Sequence, residues 1–146
     1  MAALFAGLAL SAAAAEAAPK GAVTNPLNHA LDGTIAVPSG QLVIPYEALW
    51  EDHAEAGMPQ ETWLVLRFLA PDIARDKGKI RFADAAPDLD SLCKDVGLPL
   101  AALTGGGVDQ ILVVLLDQPL ARGAHNPAVT KFMSAYRIKT GRCEWE

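Results

Sequence analysis

The chain has 146 residues, of which 51% are hydrophobic and 20% charged, and its 12 Lys and Arg against 17 Asp and Glu give a formal net charge of −5. This charge excludes a general nucleic-acid binder, which needs a basic face to neutralise phosphates. No apolar stretch reaches the roughly 18–20 residues that span a bilayer, and the composition is too apolar for a disordered chain.

The first 17 residues are typical of a secretory signal peptide. A short apolar run over residues 4–10 precedes an alanine tract, and Ala15-Glu16-Ala17 provides the small residues that a signal peptidase admits. No Lys or Arg precedes the apolar run, so the true start lies upstream, or the leader is atypical, or these residues form an alanine-rich helix of the folded domain. We expect cleavage before Ala18 and a periplasmic or secreted protein, with no transmembrane span in the mature chain.

The mature chain begins with an irregular lead-in and then forms one domain. Residues 18–36 are rich in Pro, Gly and Asn, which favours a linker, and the folded domain is predicted over residues 37–146. Within it, Gln41–Trp50 alternates apolar and other residues with period two and predicts a strand. Pro45 has no N–H to donate, which indicates an edge strand or a bulge. A second strand at Glu61–Leu69 would complete a hairpin.

The middle of the domain changes from strand to helix periodicity. Gly78–Phe82 is predicted as a short third strand, and Asp84–Val96 as a helix, in which Pro87 would have to lie in the first turn. Gly97 and Pro99 should end the helix. The spacing of the apolar residues predicts one buried face of this helix, formed by Leu89, Leu92, Cys93 and Val96.

Two further strand patterns complete the sheet. Ile111–Leu116 is an unbroken apolar run with branched side chains, which favours a strand buried on both faces at the centre of the sheet. Phe132–Lys139 and Arg142–Glu146 flank Thr140-Gly141, the pattern of a hairpin. A two-residue loop there predicts three facing pairs: Ile138 with Cys143, Tyr136 with Trp145, and the oppositely charged Arg137 with Glu144.

The two cysteines are expected to form a disulfide, Cys93 with Cys143. An even number of cysteines in a small exported domain favours pairing, although two separate buried thiols are the alternative. Pairing requires the helix to lie across the apolar face of the terminal hairpin, because bridged Cα atoms sit within about 7 Å. The predicted fold class is therefore α+β: a small, mainly antiparallel sheet with one packed helix, a C-terminal β-hairpin and a single disulfide.

Residues 37–146 resemble a family of short exported alphaproteobacterial proteins catalogued as a domain of unknown function. The resemblance rests on five short motifs: Val37-Pro38-Ser39-Gly40, Arg67-Phe68-Leu69-Ala70-Pro71, Leu92-Cys93, Ala135-Tyr136 and Cys143-Glu144-Trp145-Glu146. Phe132-Met133-Ser134 departs from a more aromatic and acidic version of the family pattern. The resemblance implies export and supplies no activity, so it carries over no functional residues.

Two surfaces are candidates for binding. Trp63 and Arg67 share one face of a predicted strand, where an exposed indole could meet a ligand; the alternative is that Trp63 covers a second small core. The second candidate is a basic turn that could meet an acidic partner or lipid headgroups, or could simply be solvated: Arg75, Lys77, Lys79 and Arg81.

Catalytic motifs are weak by comparison. Glu51, His53 and Glu55 form the densest acidic and imidazole group, but they lie in a predicted loop and their spacing matches no compact metal motif. The sequence contains no G-x-S-x-G elbow and no C-x-x-C motif. We therefore expect no metal and no cofactor, and favour a non-enzymatic binding or accessory module of the cell envelope, whose partner is an unidentified envelope protein or small ligand. The alternatives are a small exported hydrolase or metal-dependent enzyme, or assembly through the edge strand near Pro45.

Overall fold

The computed structural model of the protein describes residues 33–146, and the predicted signal peptide and most of the lead-in lie outside them. The strands are β1 (Ile44–His53), β2 (Glu61–Leu69), β3 (Gln110–Leu116), β4 (Lys131–Lys139) and β5 (Arg142–Trp145). A long helix runs unbroken for 22 residues through α1 (Phe82–Leu92), a π-turn (Cys93–Gly97) and α2 (Leu98–Leu103). A 3₁₀ turn, Pro71–Ile73, follows β2. Among residues 33–146, no helix is both long and apolar enough to cross a membrane.

The five strands form one sheet in the order β1-β2-β3-β4-β5, and every neighbouring pair is antiparallel except β2 and β3. Parallel strands cannot be joined by a tight turn, so the chain crosses one face of the sheet between them, and the long helix is this crossover. All seven residues of β3 are buried, because the helix covers one face while Leu120 and Val129 pack on the other. The predicted α+β class and the central position of the apolar run are confirmed.

The predicted hairpin of β1 and β2 is confirmed, with one correction to its faces. A bulge between Pro45 and Glu47 shifts the register of the edge strand. It places Tyr46 against the second face of the sheet, whereas Ala48 and Trp50 pack on the helix side. The prediction that the alternating residues of this strand share one face is therefore wrong, because the bulge puts Tyr46 on the face opposite to Ala48 and Trp50.

The helix begins earlier than its hydrophobic pattern predicts. Residues 78–81 are irregular, so the predicted third strand is absent from this stretch, and Phe82 opens α1. The ring of Phe82 packs edge-on against Phe132, with centroids 5.4 Å apart, which holds the first turn against the sheet. Pro87 consequently lies beyond the first turn, inside the helix.

The helix also continues through the two residues that were expected to end it. In the π-turn the Leu98 N–H donates to the Cys93 carbonyl, five residues back, and Pro99, which has no N–H to donate, is the second residue of α2 directly after this turn. Gly97 is buried against β3, and a Cβ added there would lie 3.0 Å from Cδ1 of Ile111. This glycine therefore permits close packing of helix on sheet rather than terminating the helix.

A buried carboxylate ties the segment before β1 to the helix. Asp88 is completely buried. Its oxygens accept hydrogen bonds from the Ser39 N–H at 2.8 Å, the Ser39 hydroxyl at 2.5 Å and Nε2 of Gln41 at 2.7 Å. Three donors offset the cost of burying the acid.

The C-terminal hairpin has the predicted register: Tyr136 pairs with Trp145, Arg137 with Glu144 and Ile138 with Cys143. Thr140 and Gly141 have φ of 50° and 71°, as a type I′ turn requires. The side-chain partners differ from the prediction, because Arg137 forms its ion pairs with Glu61 and Glu146 instead.

Candidate functional site

A groove opens where the long helix meets the C-terminal hairpin. Its volume is about 450 Å³, within the range of about 300–1,000 Å³ that is usual for small-ligand sites. The helix contributes one wall and the hairpin the other. We call it the seam groove; its lining residues are Asp90, Lys94, Leu98, Tyr136, Gly141, Arg142, Cys143 and Trp145.

The Cys93–Cys143 disulfide joins the two walls. The bond links residues 50 apart in sequence, with a Cα–Cα distance of 6.4 Å. Cys93, on the buried face of the helix, is completely buried, whereas Cys143 is half-buried and lines the groove. The covalent link therefore sets how far β5 stands from the helix.

Asp90 organises the aromatic side chains of the groove. Its Oδ1 accepts one hydrogen bond from the Tyr136 hydroxyl at 2.6 Å and another from Nε1 of Trp145 at 2.7 Å. Burial raises the pKa of the Tyr136 hydroxyl, and the hydrogen bond to Asp90 raises it further. Tyr136 is thus held as a neutral donor, and both aromatic rings are oriented by one carboxylate.

The side chain of Trp145 is open to solvent at the groove, with 67% of its surface exposed. The sequence pattern predicted that Trp145 would face Tyr136 across the hairpin, and the structure pairs the two residues in this way. β5 has only four residues and lies at the edge of the sheet, and Trp145 therefore remains open to solvent at the end of the groove.

Two cations also line the seam groove. Lys94 and Arg142 are exposed, and neither has a carboxylate within 4.0 Å among residues 33–146. Asp90 is the acidic residue between the walls, and its carboxylate is engaged by the two aromatic donors. The groove therefore combines an indole surface with unpaired positive charge in a protein whose net charge is negative.

A smaller hollow of about 180 Å³ lies on the opposite face of the sheet, around Trp63. The indole of Trp63 stacks on His53 with ring centroids 3.7 Å apart, and its Nε1 donates to Glu61. Glu61 also accepts from Gln110 and Arg137. The hydrogen bond from Trp63, followed by that from Arg137, lowers the pKa of Glu61.

The charges around His53 are paired as well. Glu51 accepts two hydrogen bonds from Arg122, at 2.9 and 3.0 Å, and lies 3.0 Å from Nε2 of His53. The hydrogen bond from Arg122 is the main cause that lowers the pKa of Glu51. Glu55 lines the same hollow, yet across residues 33–146 no group of three or more His, Cys, Asp or Glu side chains is arranged to hold a metal ion.

The prediction that Arg67 shares an exposed surface with Trp63 is wrong. Arg67 is only 4% exposed, because its guanidinium donates to Glu47 and to the Leu120 carbonyl. It also lies 5.3 Å from the ring centroid of Tyr46, a cation–π contact. Arg67 therefore fastens the loop after β3 to the second face of the sheet.

The basic turn follows the C-terminal end of β2, whereas Trp63 lies near the start of this strand. At the usual rise per strand residue, that end of β2 is about 20 Å from Trp63. Arg75 donates to the Pro127 carbonyl, and Arg81 donates to the Arg75 carbonyl. Lys77 and Lys79 are exposed. The two predicted candidate surfaces are thus separate, and two of the four basic side chains hold loops together.

Sequence reasoning singled out Cys143 as a disulfide partner, but it did not assemble the residues of the seam groove into a site. A signal was present, because the predicted register placed Tyr136 beside Trp145 and the predicted disulfide brought the helix over that face. Asp90 and Lys94 lie three residues before and one after Cys93. Their meeting with the hairpin depends on the crossing of helix and sheet, which no local pattern specifies.

The sequence model of a family described as a family of unknown function (DUF6497) matches residues 7–146. The chain therefore belongs to this family, and the match extends through the lead-in as well as the folded domain. Comparisons with curated proteins and with solved structures found no match.

Proposed function

We propose that this member of the family is an exported, non-enzymatic binding module of the cell envelope, and that the seam groove is its ligand site. The observation that carries the proposal is the groove itself: a concave space of about 450 Å³ with an exposed indole, oriented polar groups and two cations that form no ion pair within residues 33–146. Pockets that combine an apolar lining with a few placed polar groups are the usual form of small-ligand sites.

The walls of this groove are organised before any ligand arrives. The disulfide joins the helix to β5, and Asp90 fixes the ring orientations of Tyr136 and Trp145. A site that is already ordered loses less conformational entropy when it binds. Preorganisation of this kind suits a binding protein.

The arrangement of polar groups favours binding over catalysis. The raised pKa of Tyr136 keeps its proton in place, and Oδ1 of Asp90 already accepts two hydrogen bonds from the aromatic side chains. His53 lies on the opposite face of the sheet, stacked on Trp63 and paired with Glu51. Among residues 33–146, the groove therefore does not bring together a nucleophile, a base and an orienting acid.

Export is supported by the disulfide and by the leader pattern of residues 1–17. Disulfides persist in oxidising compartments and are rare in the cytosol. Material recovered from its native compartment and unfolded without reductant should resist thiol alkylation at both cysteines. Full alkylation of Cys93 and Cys143 would contradict the proposed location.

The binding proposal can be tested by nuclear magnetic resonance, because the three tryptophan indoles report on different places. Purified protein would be screened against small aromatic compounds while the indole N–H signals are recorded. We expect binders to shift the Trp145 signal and to leave the Trp63 signal unchanged. Binders that shift Trp63 alone would move the site to the opposite face, and no binder at all would refute the proposal.

Trp145→Ala provides the matching variant, since this side chain is largely exposed and its removal should leave the core intact. Binding should be lost in Trp145→Ala and kept in Trp63→Ala. Equal binding by both variants would contradict the assignment of the groove.

A further inference from the structure

We infer that the ligand of the seam groove is a small organic anion with a flat apolar body, of the type of an aromatic carboxylate. This inference rests on the proposed function and adds the chemical class of the ligand. It follows from the charge of the groove, from the shape of its aromatic surface and from the contrast with the hollow around Trp63.

The charge of the groove favours an anion. Lys94 and Arg142 lie on opposite walls, one on the helix and one on β5, and neither is paired with a carboxylate among residues 33–146. The single acid, Asp90, directs its Oδ1 to two neutral donors. A guanidinium can hold a carboxylate through two parallel hydrogen bonds, and an ammonium adds a point charge. A carboxylate in the groove would therefore be attracted by cations on both walls.

The aromatic surface favours a flat apolar body. Trp145 is 67% exposed, and its hydrogen bond to Asp90 holds the indole at the edge of the groove, where Leu98 adds apolar surface. An indole face also attracts cations, but here Lys94 and Arg142 would repel a cationic ligand. The balance of these effects selects an anion that can stack.

The other exposed face of the protein lacks this combination. The indole of Trp63 is already stacked on His53. The cation beside it, Arg137, is paired with Glu61 and with Glu146. A stacking surface and free positive charge are therefore brought together at the seam groove and not at the hollow around Trp63.

Three probes with the same ring system separate charge from stacking: naphthoate, naphthylmethanol and naphthylmethylammonium. Each would be titrated into the disulfide-bonded protein while the Trp145 indole signal is followed. We expect naphthoate to bind about tenfold more tightly than the neutral alcohol, and the ammonium probe to bind most weakly. The double variant Lys94→Glu/Arg142→Glu should reverse this order.

A matched control is available in the basic turn. Lys77→Glu/Lys79→Glu changes the net charge by the same amount at exposed positions away from the groove, and should leave the order of the probes unchanged. If charge reversal prevents folding, Lys94→Gln/Arg142→Gln replaces it and should abolish the preference for naphthoate.

The outcomes distinguish the inference from the proposed function. Equal affinities of the three probes at Trp145 would overturn the anionic class and leave the groove as a binding site. An order that survives the groove variants, or that is lost in the control, would overturn the role of the two cations. Failure of all three probes to bind would overturn the inference and remove support from the groove as a ligand site.

Discussion

Removal of the disulfide should destabilise the protein by a large and calculable amount. Cross-linking residues 50 apart restricts the unfolded chain, and the chain-entropy relation gives about 4 kcal/mol at 25 °C for a loop of this length. Cys143→Ala removes only the link, since its side chain is half-buried at the sheet edge. Cys93→Ala also removes a fully buried sulfur, which should add about 1 kcal/mol.

Non-additivity is the decisive feature of this prediction. Either single variant already breaks the bond, so Cys93→Ala/Cys143→Ala should lose about as much stability as Cys93→Ala alone, about 5 kcal/mol. Two independent buried thiols would instead give a double variant with the added losses of both single variants. For a domain of this size, the loss of the link corresponds to a fall in Tm of roughly 15 °C.

The measurement is urea unfolding of the wild type, the reduced wild type and the three variants, followed by circular dichroism. The reduced wild type is the control, and its stability should match that of Cys143→Ala. The Trp145 indole signal should lose dispersion in the same samples, because β5 is released from the helix. A reduced protein as stable as the oxidised one would refute the reasoning.

Three further predictions concern the helix and the second face of the sheet. Asp88→Ala should cost about 2–4 kcal/mol in urea unfolding, because it leaves the donors of residues 39–41 without their acceptor. Gly97→Ala should cost about 1–3 kcal/mol in the same assay, because the added Cβ would lie 3.0 Å from a side-chain atom of β3. The pKa of Glu51 is lowered in the folded protein, mainly by its hydrogen bond from Arg122. The ionised carboxylate therefore stabilises the fold above its unfolded pKa of about 4.5, and this stabilisation is lost as the pH falls through the lower folded pKa. Glu51→Gln should therefore flatten the decline of the urea midpoint below about pH 4.5.

A control for Asp88→Ala comes from an exposed position of the same chain. Asp95→Ala removes a solvent-exposed acid from the same helix as Asp88 and should change the unfolding free energy by less than about 0.5 kcal/mol. Equal effects of a variant and its control would contradict the assigned contacts, as would an unchanged unfolding free energy in Gly97→Ala.

The sequence was most informative where local periodicity and covalent chemistry agree. The register of the C-terminal hairpin followed from alternating side chains around Thr140-Gly141, and the disulfide then required the helix to cross that face. The apolar run of β3 predicted its central position, because a strand that is buried on both faces shows no alternation of apolar and polar residues.

The errors arose where non-local packing outweighs local preference. Gly97 would usually end a helix, but here it allows close contact with β3, and the π-turn brings Pro99 into a tolerated position. Arg67 has the side chain of a surface residue, but Glu47 and a loop carbonyl from residue 120 satisfy it in a buried position. The seam groove depends on the distance between helix and hairpin, which has no counterpart in the order of residues.

The connectivity of the disulfide has a consequence for how the protein matures. Its two halves come from the crossover helix and from β5, with β3 and β4 between them in the chain, so the sulfurs meet in their native geometry only after β5 has paired with β4 and the helix has packed against that side of the sheet. Formation of the disulfide would then be a late step of folding rather than an early one. The fraction of newly made molecules in which both thiols are oxidised would therefore measure how far folding has progressed.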